Sequence, residues 1–526
     1  MPNKDRLSTG NPFFPPLRFN HQIYVDKTET IFKLARERGR FLLTRPRRFG
    51  KTLLISALAS LFESGTRDFQ GLAIEKLWIE KTYDVLHLDF SVVSDFDTAE
   101  QFLARLCGML GVWLEDHGFA PSGTPASFFP ELAQWLRARP AGSLVWLIDE
   151  YDAPLTVALE DEALFQGVQE VLRDFYAMLS ACDSAFRFVF ITGITRFDKA
   201  GIFSEFNQLT DISTAPECET LVGFTEEELK HYYADFLQDA ARTHGTPVSA
   251  LLRKLRDYYG GYAFGRAGAP RVYCPWSVLN FFSDSSREFE NYWFGTCSSQ
   301  EEVMNCLAAR QLDEPWGFLA PVPSGPDPLL SSAPSGASDA TALLLQTGYL
   351  TIRPESPEAG SSWLLDYPNR DVAASIANLY AKNMVGNNAF SPRELLDHML
   401  NGKASEAISF INAALTSLNY HRYPVRDEAS FQSFMQVLMI GASLLPQVEV
   451  HSARGRSDME VDAGDYRWVF EFKFARKGDD AKALCQDAAD QILKQKYGET
   501  PHGKHLARVA MVFEEEARQV TAWQAL

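Results

Sequence analysis

Two short stretches of this 526-residue chain combine residue types that act on phosphate groups. One is "FLLTRPRRFGKTLL" at residues 41–54, which contains a glycine, a lysine and a threonine in succession. The other is "GRSDMEVDAGDYRWVFEFKF" at residues 455–474, where an aspartate is followed by a Glu-x-Lys segment. The first pattern is typical of nucleoside triphosphate binding, and the second of metal-dependent phosphodiester cleavage.

The stretch around Lys51 has the layout of a phosphate-binding loop, because an apolar strand-like run precedes it and an apolar helical run follows it. In such a loop, backbone N–H groups and the helix N-terminus cradle the phosphates and the lysine reaches the β and γ oxygens. The hydroxyl of Thr52 would ligate Mg²⁺. Six residues are therefore expected to contact the nucleotide: Arg45, Arg48, Phe49, Gly50, Lys51 and Thr52.

One position of this loop departs from the usual template, since Arg45 stands where a glycine is expected. Together with Arg47 and Arg48, it adds positive charge but reduces the freedom of the backbone. Taken alone, the loop leaves two interpretations open, a nucleotide site and a basic turn.

Two further runs favour the nucleotide site. The run "SLVWLIDEYD" ends in Asp149, which would hold Mg²⁺, and Glu150, which would polarise the attacking water; the alternative is a solvated acidic turn. The run "FRFVFITGITRF" places Thr192 or Thr195 to contact the γ-phosphate or orient water. Arg196 is a candidate sensor of phosphate charge, with a surface arginine that anchors a loop as the alternative.

The second stretch predicts a metal site on two neighbouring strands. Glu471 and Lys473 share one face of a strand because side chains alternate along it, and a hairpin through "AGD" would bring Asp458 beside them. Asp458 and Glu471 would bind a divalent ion, while Lys473 would position water or stabilise developing charge. The carbonyl oxygen of Phe472 and the side chain of Glu449 are further candidates. The alternatives are a turn aspartate and a surface ion pair.

An α/β multidomain fold would position these residues. Residues 1–215 alternate compact apolar runs with longer helical stretches, which predicts a parallel sheet covered by helices. Residues 216–384 predict a helical or winged-helix-like module with a hairpin and a Pro/Ser-rich surface insert near 320–340. Residues 385–526 predict three helices, a strand cluster, a helix and a last strand.

Bulk composition limits the classes of function. No apolar run approaches the roughly 20 residues that cross a bilayer, and the start of the chain lacks the apolar core of a secretion signal. Seven cysteines without a CxxC pair predict reduced thiols, hence a cytoplasmic protein without membrane contact. The net charge of −18 means that any contact with nucleic acid must be local or carried by metal ions.

Several motifs together resemble a family of AAA-ATPase-like proteins, mostly bacterial, that frequently end in a PD-(D/E)XK nuclease-like domain. The motifs are "YVDKT" (24–28), "TRPRRFGKTLL" (44–54), "LIDEYDAP" (147–154), "ITGITRF" (191–197), "LVGFTEEEL" (221–229), "LLLQTGYLTI" (343–352) and "DYPNRDV" (366–372). The resemblance covers nearly the whole chain apart from the Pro/Ser-rich insert. It implies a P-loop NTPase fold, and an arginine at position 45 is the pattern of that family. No chemical role follows for "YVDKT".

The resemblance extends to the C-terminal region, where it implies a restriction-endonuclease-like α/β fold. It rests on the GR-S-D segment, on E-F-K, on a later helix with Gln491 and Tyr497, and on an earlier helix with Glu428 near its start. It implies an ATPase that uses ATP and Mg²⁺, joined to a nuclease that uses Mg²⁺ or Mn²⁺. The expected partner is nucleic acid, with DNA ahead of RNA. A homo-oligomer stays open, as does a role in defence or in mobile elements.

Three functions remain open at this stage. In the first, ATP gates a working nuclease. In the second, the chain is an ATP-dependent regulatory switch whose inactive nuclease-like domain binds a partner. In the third, it is an ATPase with a vestigial nuclease domain.

Overall fold

A computed structural model describes residues 2–159, 161–197, 202–265, 268–293, 322–324, 340–353, 363–385, 391–421, 423–444, 446–451, 455–499 and 503–526. The chain forms two compact units. The first comprises Met1–Trp293 and Val322–Asn369, and the second includes Arg370–Leu526. The division into three domains at residues 215 and 384 stays a prediction.

A five-stranded parallel sheet organises the first unit. Its strands are β1 (Arg40–Thr44), β2 (Asp84–Asp89), β3 (Leu144–Asp149), β4 (Phe186–Gly193) and β5 (Leu209–Asp211). Their order is β2-β3-β4-β1-β5, so β4 separates β1 from β3. Thr44 lies opposite Gly193 and Asp89 opposite Asp149, and the carboxyl ends of four strands therefore meet along one edge of the sheet.

The helices of the first unit follow in chain order. They are α1 (Phe14–Phe19), α2 (Thr28–Ala35), α3 (Lys51–Ser64), α4 (Ala99–Asp116), α5 (Pro125–Arg137), α6 (Ala153–Val157), α7 (Glu162–Ala181), α8 (Glu226–Tyr232), α9 (Ala234–Thr243), α10 (Val248–Tyr259), α11 (Pro275–Ser283) and α12 (Ala340–Gln346). Short 3-10 helices lie at Lys4–Arg6, Ala73–Lys76, Phe90–Val92, Asp183–Ala185 and Pro216–Cys218.

Helices on both faces of the sheet explain why its strands are almost wholly apolar. Every residue of β1, β3 and β4 is buried. On one face, Trp146 packs in a core shared with α4, α5 and α7. On the other face, Phe188 packs against Phe62 of α3, with ring centroids 5.1 Å apart. Each such buried side chain stabilises the fold by about 1.5–3 kcal/mol. The predicted parallel α/β sheet is confirmed.

The predicted helical middle region is also confirmed, with α8 to α11 around a core of their own. Helix α8 begins with a capping box, in which Thr225 and Glu228 each accept the other's backbone N–H. A three-stranded antiparallel sheet has the order β6 (Val322–Ser324), β8 (Trp363–Asp366), β7 (Thr351–Ile352), so the predicted hairpin is present. The winged-helix likeness stays a prediction, and most of the Pro/Ser-rich insert lies outside the described residues.

A mixed sheet organises the second unit. Its strands are β9 (Pro446–His451), β10 (Arg456–Ala463), β11 (Tyr466–Ala475), β12 (His505–Glu514) and β13 (Gln519–Ala525), in the order β13-β12-β11-β10-β9. Its helices are α13 (Arg370–Val385), α14 (Pro392–Leu400), α15 (Ala404–Thr416), α16 (Glu428–Gly441) and α17 (Ala481–Gln495). Only β11 and β12 pair in parallel, because α17 crosses over between them.

This arrangement confirms the predicted restriction-endonuclease-like α/β domain. Helix α17 packs on the sheet through Ala488 and Ile492, against Val469 of β11 and Val512 of β12. The last strand, β13, was not predicted from the sequence. Within the part of the chain that the structure describes, no helix has both the length and the apolar character needed to cross a membrane.

Candidate functional site

The predicted phosphate loop joins β1 to α3 and closes around its own lysine. Gly50 precedes α3 with φ +95°, a backbone conformation that favours glycine, and Arg48 has φ +69°. Lys51, the first residue of α3, is 5% exposed. Its Nζ donates to the carbonyl oxygens of Arg45 at 3.1 Å and Pro46 at 3.2 Å. These carbonyls hold the ammonium group at the site where phosphate oxygens would compete for it.

The charges of three carboxylates act on Lys51. Burial lowers the pKa of Lys51, whereas the negative charges of Glu150, Asp149 and Asp152 raise it. The ammonium group therefore belongs to a buried cluster of opposite charges at the carboxyl edge of the sheet, where a triphosphate and a cation would add further charges of both signs.

The guanidinium of Arg45 is engaged by backbone carbonyl groups. It is buried and donates to the carbonyl oxygens of Thr44 at 2.8 Å, Ser213 at 2.7 Å and Cys218 at 2.9 Å. It also lies over the ring of Phe264, 4.4 Å from the centroid, and burial lowers the pKa of Arg45 to about 10. The guanidinium thus ties the loop to the segment that follows β5, and contact of Arg45 with the nucleotide stays a prediction.

Phe49 anchors the other end of the loop through its side chain. Its ring is buried and meets the rings of Tyr262 and Phe264 edge-on, with centroids 4.8 and 5.2 Å away. The Phe49 carbonyl accepts the N–H of Gly223 at 3.2 Å. Tyr262 and Phe264 come from the aromatic run "DYYGGYAFG" at residues 257–265. Only the backbone of Phe49 stays available for phosphate.

Arg48 lies at the surface of the loop. Its guanidinium stacks over the ring of Trp276, 4.3 Å from the centroid. The Arg48 carbonyl accepts a hydrogen bond from Cys274 Sγ at 3.8 Å. Nucleotide contact by Arg48 remains a prediction, and the exposed guanidinium is free of the backbone constraints that hold Arg45.

The acidic end of β3 lies beside this loop because β4 alone separates β3 from β1. Asp149 is 1% exposed, and its Oδ1 accepts hydrogen bonds from the Thr192 hydroxyl and from the N–H of Glu150. Burial raises the pKa of Glu150, and the charge of Lys51 opposes that rise. A carboxylate with a raised pKa is a better proton acceptor for water at neutral pH.

The donor set at this edge fits Mg²⁺. The hydroxyl of Thr52, at the second position of α3, and the carboxylate of Asp149 are hard oxygen ligands of the kind that Mg²⁺ prefers. Thr192 hydrogen-bonds to the same carboxylate, so its hydroxyl has a position from which to orient water. The sequence prediction had named all three, and the fold brings them to one edge.

Arg196 is buried rather than exposed. Its guanidinium forms an ion pair with Asp211 of β5 at 2.7 Å, and the backbone N–H of Arg196 donates to Gln346 Oε1 at 2.8 Å. The surface-arginine alternative is therefore wrong. The role as a sensor of phosphate charge remains a prediction, and it would require a rearrangement of this ion pair.

The motif "YVDKT" has a structural role that was not predicted from the sequence: it joins the start of α2 to two later segments. Asp26 accepts the N–H groups of Thr28 at 2.8 Å and Ala73 at 2.9 Å. Lys27 forms a half-buried ion pair at 2.6 Å with Glu228, the capping-box residue of α8. The Asp-x-Thr spacing was the available signal, because an aspartate commonly accepts the N–H two residues later.

The second candidate site lies on the β10–β11 hairpin, as predicted. Met459 pairs with Phe470 on the core side, so Asp458 and Glu471 share the opposite side. Asp458 Oδ2 accepts the N–H of Phe472 at 2.7 Å. Lys473 Nζ donates to Glu471 Oε1 at 3.3 Å and to the carbonyl of Phe472 at 3.0 Å. The structure thus places all three predicted side chains together.

Glu471 has the most perturbed carboxyl group of this site. Its side chain is 1% exposed, and within the described chain Oε2 has no hydrogen-bond partner. Burial and the charge of Asp458, opposed by the charge of Lys473, together raise the pKa of Glu471 to about 7. Burial likewise raises the pKa of Asp458. Two carboxyl groups this close ionise together only with a compensating cation.

Glu428 is a neighbour of the site that was not among the predicted catalytic residues. It is the first residue of α16, and its Oε1 lies 3.9 Å from Lys473 Nζ. Burial raises the pKa of Glu428, and the charge of Lys473 lowers it. Glu449, with φ +54°, pairs instead with Arg456. An acidic residue directly after the Asp427 cap was the signal for Glu428.

These residues fit a divalent ion through two carboxylates and one carbonyl. Asp458, Glu471 and the Phe472 carbonyl supply the hard oxygen ligands that Mg²⁺ and Mn²⁺ prefer. Across the described ranges, no three His, Cys, Asp or Glu side chains are grouped to hold a metal by themselves. The remaining ligands would therefore be water and phosphate oxygens, as is usual for Mg²⁺. Nearby, Gln491 Nε2 donates to the Tyr497 hydroxyl at 3.4 Å.

Comparison with known proteins found family-model matches over the two regions that contain these residues. Residues 10–203 match the family model described as a predicted AAA-ATPase. Residues 426–523 match that of the PD-(D/E)XK nuclease superfamily. The whole chain is similar to an "Uncharacterized protein in vnfD 5'region" of Azotobacter chroococcum mcd 1, with 28% identity over 99% of each chain.

Proposed function

Because the chain combines an AAA-ATPase-like domain with a PD-(D/E)XK nuclease-superfamily domain, we propose that it binds and hydrolyses ATP and cleaves nucleic acid with a divalent metal ion. One observation carries the proposal. Lys51, Asp149 and Thr192, which are far apart in sequence, share one edge of a sheet, and Asp458, Glu471 and Lys473 lie together on one hairpin.

At the first site, bound Mg²⁺ would neutralise charge on the phosphates. Lys51 would exchange the neutral carbonyls of Arg45 and Pro46 for charged phosphate oxygens, which are stronger acceptors for an ammonium group. Thr52 and Asp149 would hold the ion, and Thr192 would keep the Asp149 carboxylate in place. Glu150 would accept the proton of the attacking water.

At the second site, a bound divalent ion would activate water and stabilise the charge that develops on the phosphate. Asp458 and Glu471 would hold the ion, and the Phe472 N–H fixes the orientation of the Asp458 carboxylate. Lys473, released from Glu471, would donate to the phosphate or the attacking water. The expected substrate is nucleic acid, with DNA ahead of RNA.

ATP is proposed to gate the nuclease rather than to drive it processively. The support is mechanical and lies within the first unit. The ring of Phe49 packs on Tyr262 and Phe264, so a shift of the loop on phosphate binding would be transmitted to the segment that follows α10. A homo-oligomer, a cytoplasmic location and a role in defence or mobile elements belong to the same proposal.

The test is cleavage of a mixed DNA and RNA panel by the full chain with Mg²⁺ or Mn²⁺, with and without ATP. We expect metal-dependent cleavage that Asp458→Ala and Lys473→Ala abolish and that Lys51→Ala makes insensitive to ATP. Glu516→Ala, at an exposed ion pair with Lys477, is the matched control and should cleave normally.

A second function is favoured by one observation, the engagement of Lys473 with Glu471 and the Phe472 carbonyl. These contacts already neutralise the site without a metal. If ATP is hydrolysed but no substrate is cleaved with any metal, the nuclease proposal is rejected. The chain would then be an ATP-dependent switch, and Asp458→Ala should alter stability alone.

A further inference from the structure

Asp152 ties the acidic turn after β3 to the loop after β4. It lies three residues beyond Asp149 and is 2% exposed. Its Oδ2 accepts the backbone N–H groups of Ile194 at 3.0 Å and Thr195 at 2.6 Å. These two residues directly follow Gly193, the last residue of β4.

Tyr151 makes the same connection from the neighbouring position. Its N–H donates to the carbonyl of Thr192 at 3.0 Å. Its hydroxyl donates to the carbonyl of Thr195 at 2.9 Å and accepts the N–H of Phe197 at 3.3 Å. With the two bonds to Asp152, the turn holds the loop along its length.

Gly193 shows how closely the turn and the loop approach each other. A Cβ atom at this position would lie 2.6 Å from Asp152 Oδ1 and from two ring carbons of Tyr151. That Oδ1 atom is buried and, among the described residues, has no hydrogen-bond partner. Burial raises the pKa of Asp152, while the bond from Thr195 and the charge of Lys51 lower it. Burying a carboxylate costs desolvation free energy. Its use to join the turn and the loop therefore points to a role in the site.

We propose that Asp152 is a positioning residue for ATP hydrolysis. It holds the loop after β4 against the turn after β3, so that Thr192 and Thr195 keep their places relative to Asp149 and Glu150. The inference rests on the proposed ATPase function. A displacement of about 1 Å between such groups lowers turnover about 100-fold, while the contacts that bind ATP through Lys51 stay in place.

The experiment compares the full-length wild type with Asp152→Ala. Hydrogen exchange of residues 192–197, the affinity for a fluorescent ATP analogue, and kcat are measured. We expect faster exchange of these amides, an affinity within about threefold of wild type, and a kcat about 100-fold lower. Asp152→Asn retains one acceptor oxygen, so its kcat should lie between the two. The matched control is Asp161→Ala, because Asp161 also accepts two backbone N–H groups, but at the exposed start of α7.

Unchanged exchange and kcat in Asp152→Ala would overturn the proposal. So would a loss of ATP affinity that accounts for the whole loss of activity, because that pattern indicates a purely structural role. If Asp152→Ala does not fold, Tyr151→Phe replaces it: the variant keeps the ring, loses the hydroxyl bonds, and must show the same split between kcat and affinity. If the wild type hydrolyses no ATP, the proposed function fails, and hydrogen exchange alone decides whether Asp152 holds the loop.

Discussion

Glu471 and Asp458 share one side of the β10–β11 hairpin, and their proximity makes ionisation of both costly without a cation. The folded protein keeps a proton on Glu471 up to about pH 7, whereas the unfolded chain loses it near the ordinary value of 4.5. Stability from this group is therefore fully present below the unfolded pKa and is lost as pH rises toward 7.

Glu471→Gln should remove this dependence on pH. In metal-free buffer, we expect the wild type to lose roughly 2–3 kcal/mol more than the variant between pH 5 and pH 8. Urea denaturation at four pH values checks it, with the exposed Glu516→Gln as control. Mn²⁺ should narrow the difference at pH 8, because an ion stabilises the ionised carboxylates of the wild type. Parallel stability curves for wild type and Glu471→Gln would contradict the raised pKa.

Arg45→Ala should destabilise the first unit rather than act on ATP directly. Loss of the guanidinium leaves three buried carbonyls without their donor, which costs about 3 kcal/mol or more. Arg45→Lys should recover little, because one ammonium cannot reproduce the planar fork. Arg48→Ala is the control and should cost less than about 1 kcal/mol, the worth of an exposed cation–π contact. A stable Arg45→Ala protein that no longer binds ATP would show that the guanidinium is a ligand after all.

At the scale of elements, the phosphate loop is stiffened by side chains where the common template uses glycine. Arg45 binds the carbonyls behind the loop, and Phe49 inserts between two rings of the following segment. Two positions of the loop have positive φ: Gly50 at +95°, where glycine supplies the freedom, and Arg48 at +69°, where a larger residue adopts it. The loop is thereby part of the core, and a change in its position must move the elements packed against it.

Phe49→Ala should therefore weaken both folding and nucleotide binding. Removing the buried ring lowers the free energy of unfolding by about 3–5 kcal/mol. The backbone N–H groups of the loop are then no longer held in place for phosphate. Phe49→Leu should recover most of the stability. Calorimetry and binding of a fluorescent ATP analogue measure the two effects, with Phe19→Ala, 82% exposed, as the control. If Phe49→Ala keeps full ATP affinity, the packing of the Phe49 ring is not what holds the loop in place for ATP.

At the scale of the whole molecule, the two compact units have separate cores and separate proposed ligands. A ligand acts chiefly on the unit that binds it, by an amount set by its concentration relative to Kd, and coupling between the units would add a smaller effect on the other. The ATP-like ligand and the divalent ion should thus act on different parts of the unfolding profile.

Calorimetry of the full chain should show two transitions. A non-hydrolysable ATP analogue with Mg²⁺ should raise one of them by several degrees, and Lys51→Ala should abolish that shift. Mn²⁺ without nucleotide should raise the other, and Asp458→Ala should abolish that shift. A single transition that both ligands move equally would contradict independent units.

Short-range patterns in the sequence were enough to predict most elements and most members of both sites. Strands β1 to β4 are continuous apolar runs with punctuated ends, and α8 begins at a capping box, because these signals are local. Alternation along β11 placed Glu471 and Lys473 on one face for the same reason.

The directions of long side chains depended on contacts between residues far apart in sequence. Arg45 and Arg196 look alike in the sequence as free positive charges, yet each is buried against partners supplied by later segments, Ser213 and Cys218 for the first and Asp211 for the second. The same holds for Glu471, whose pKa near 7 follows from burial and from Asp458 across the hairpin. The residue type sets the charge and the length of a side chain, but its desolvation and its partners depend on the folded chain.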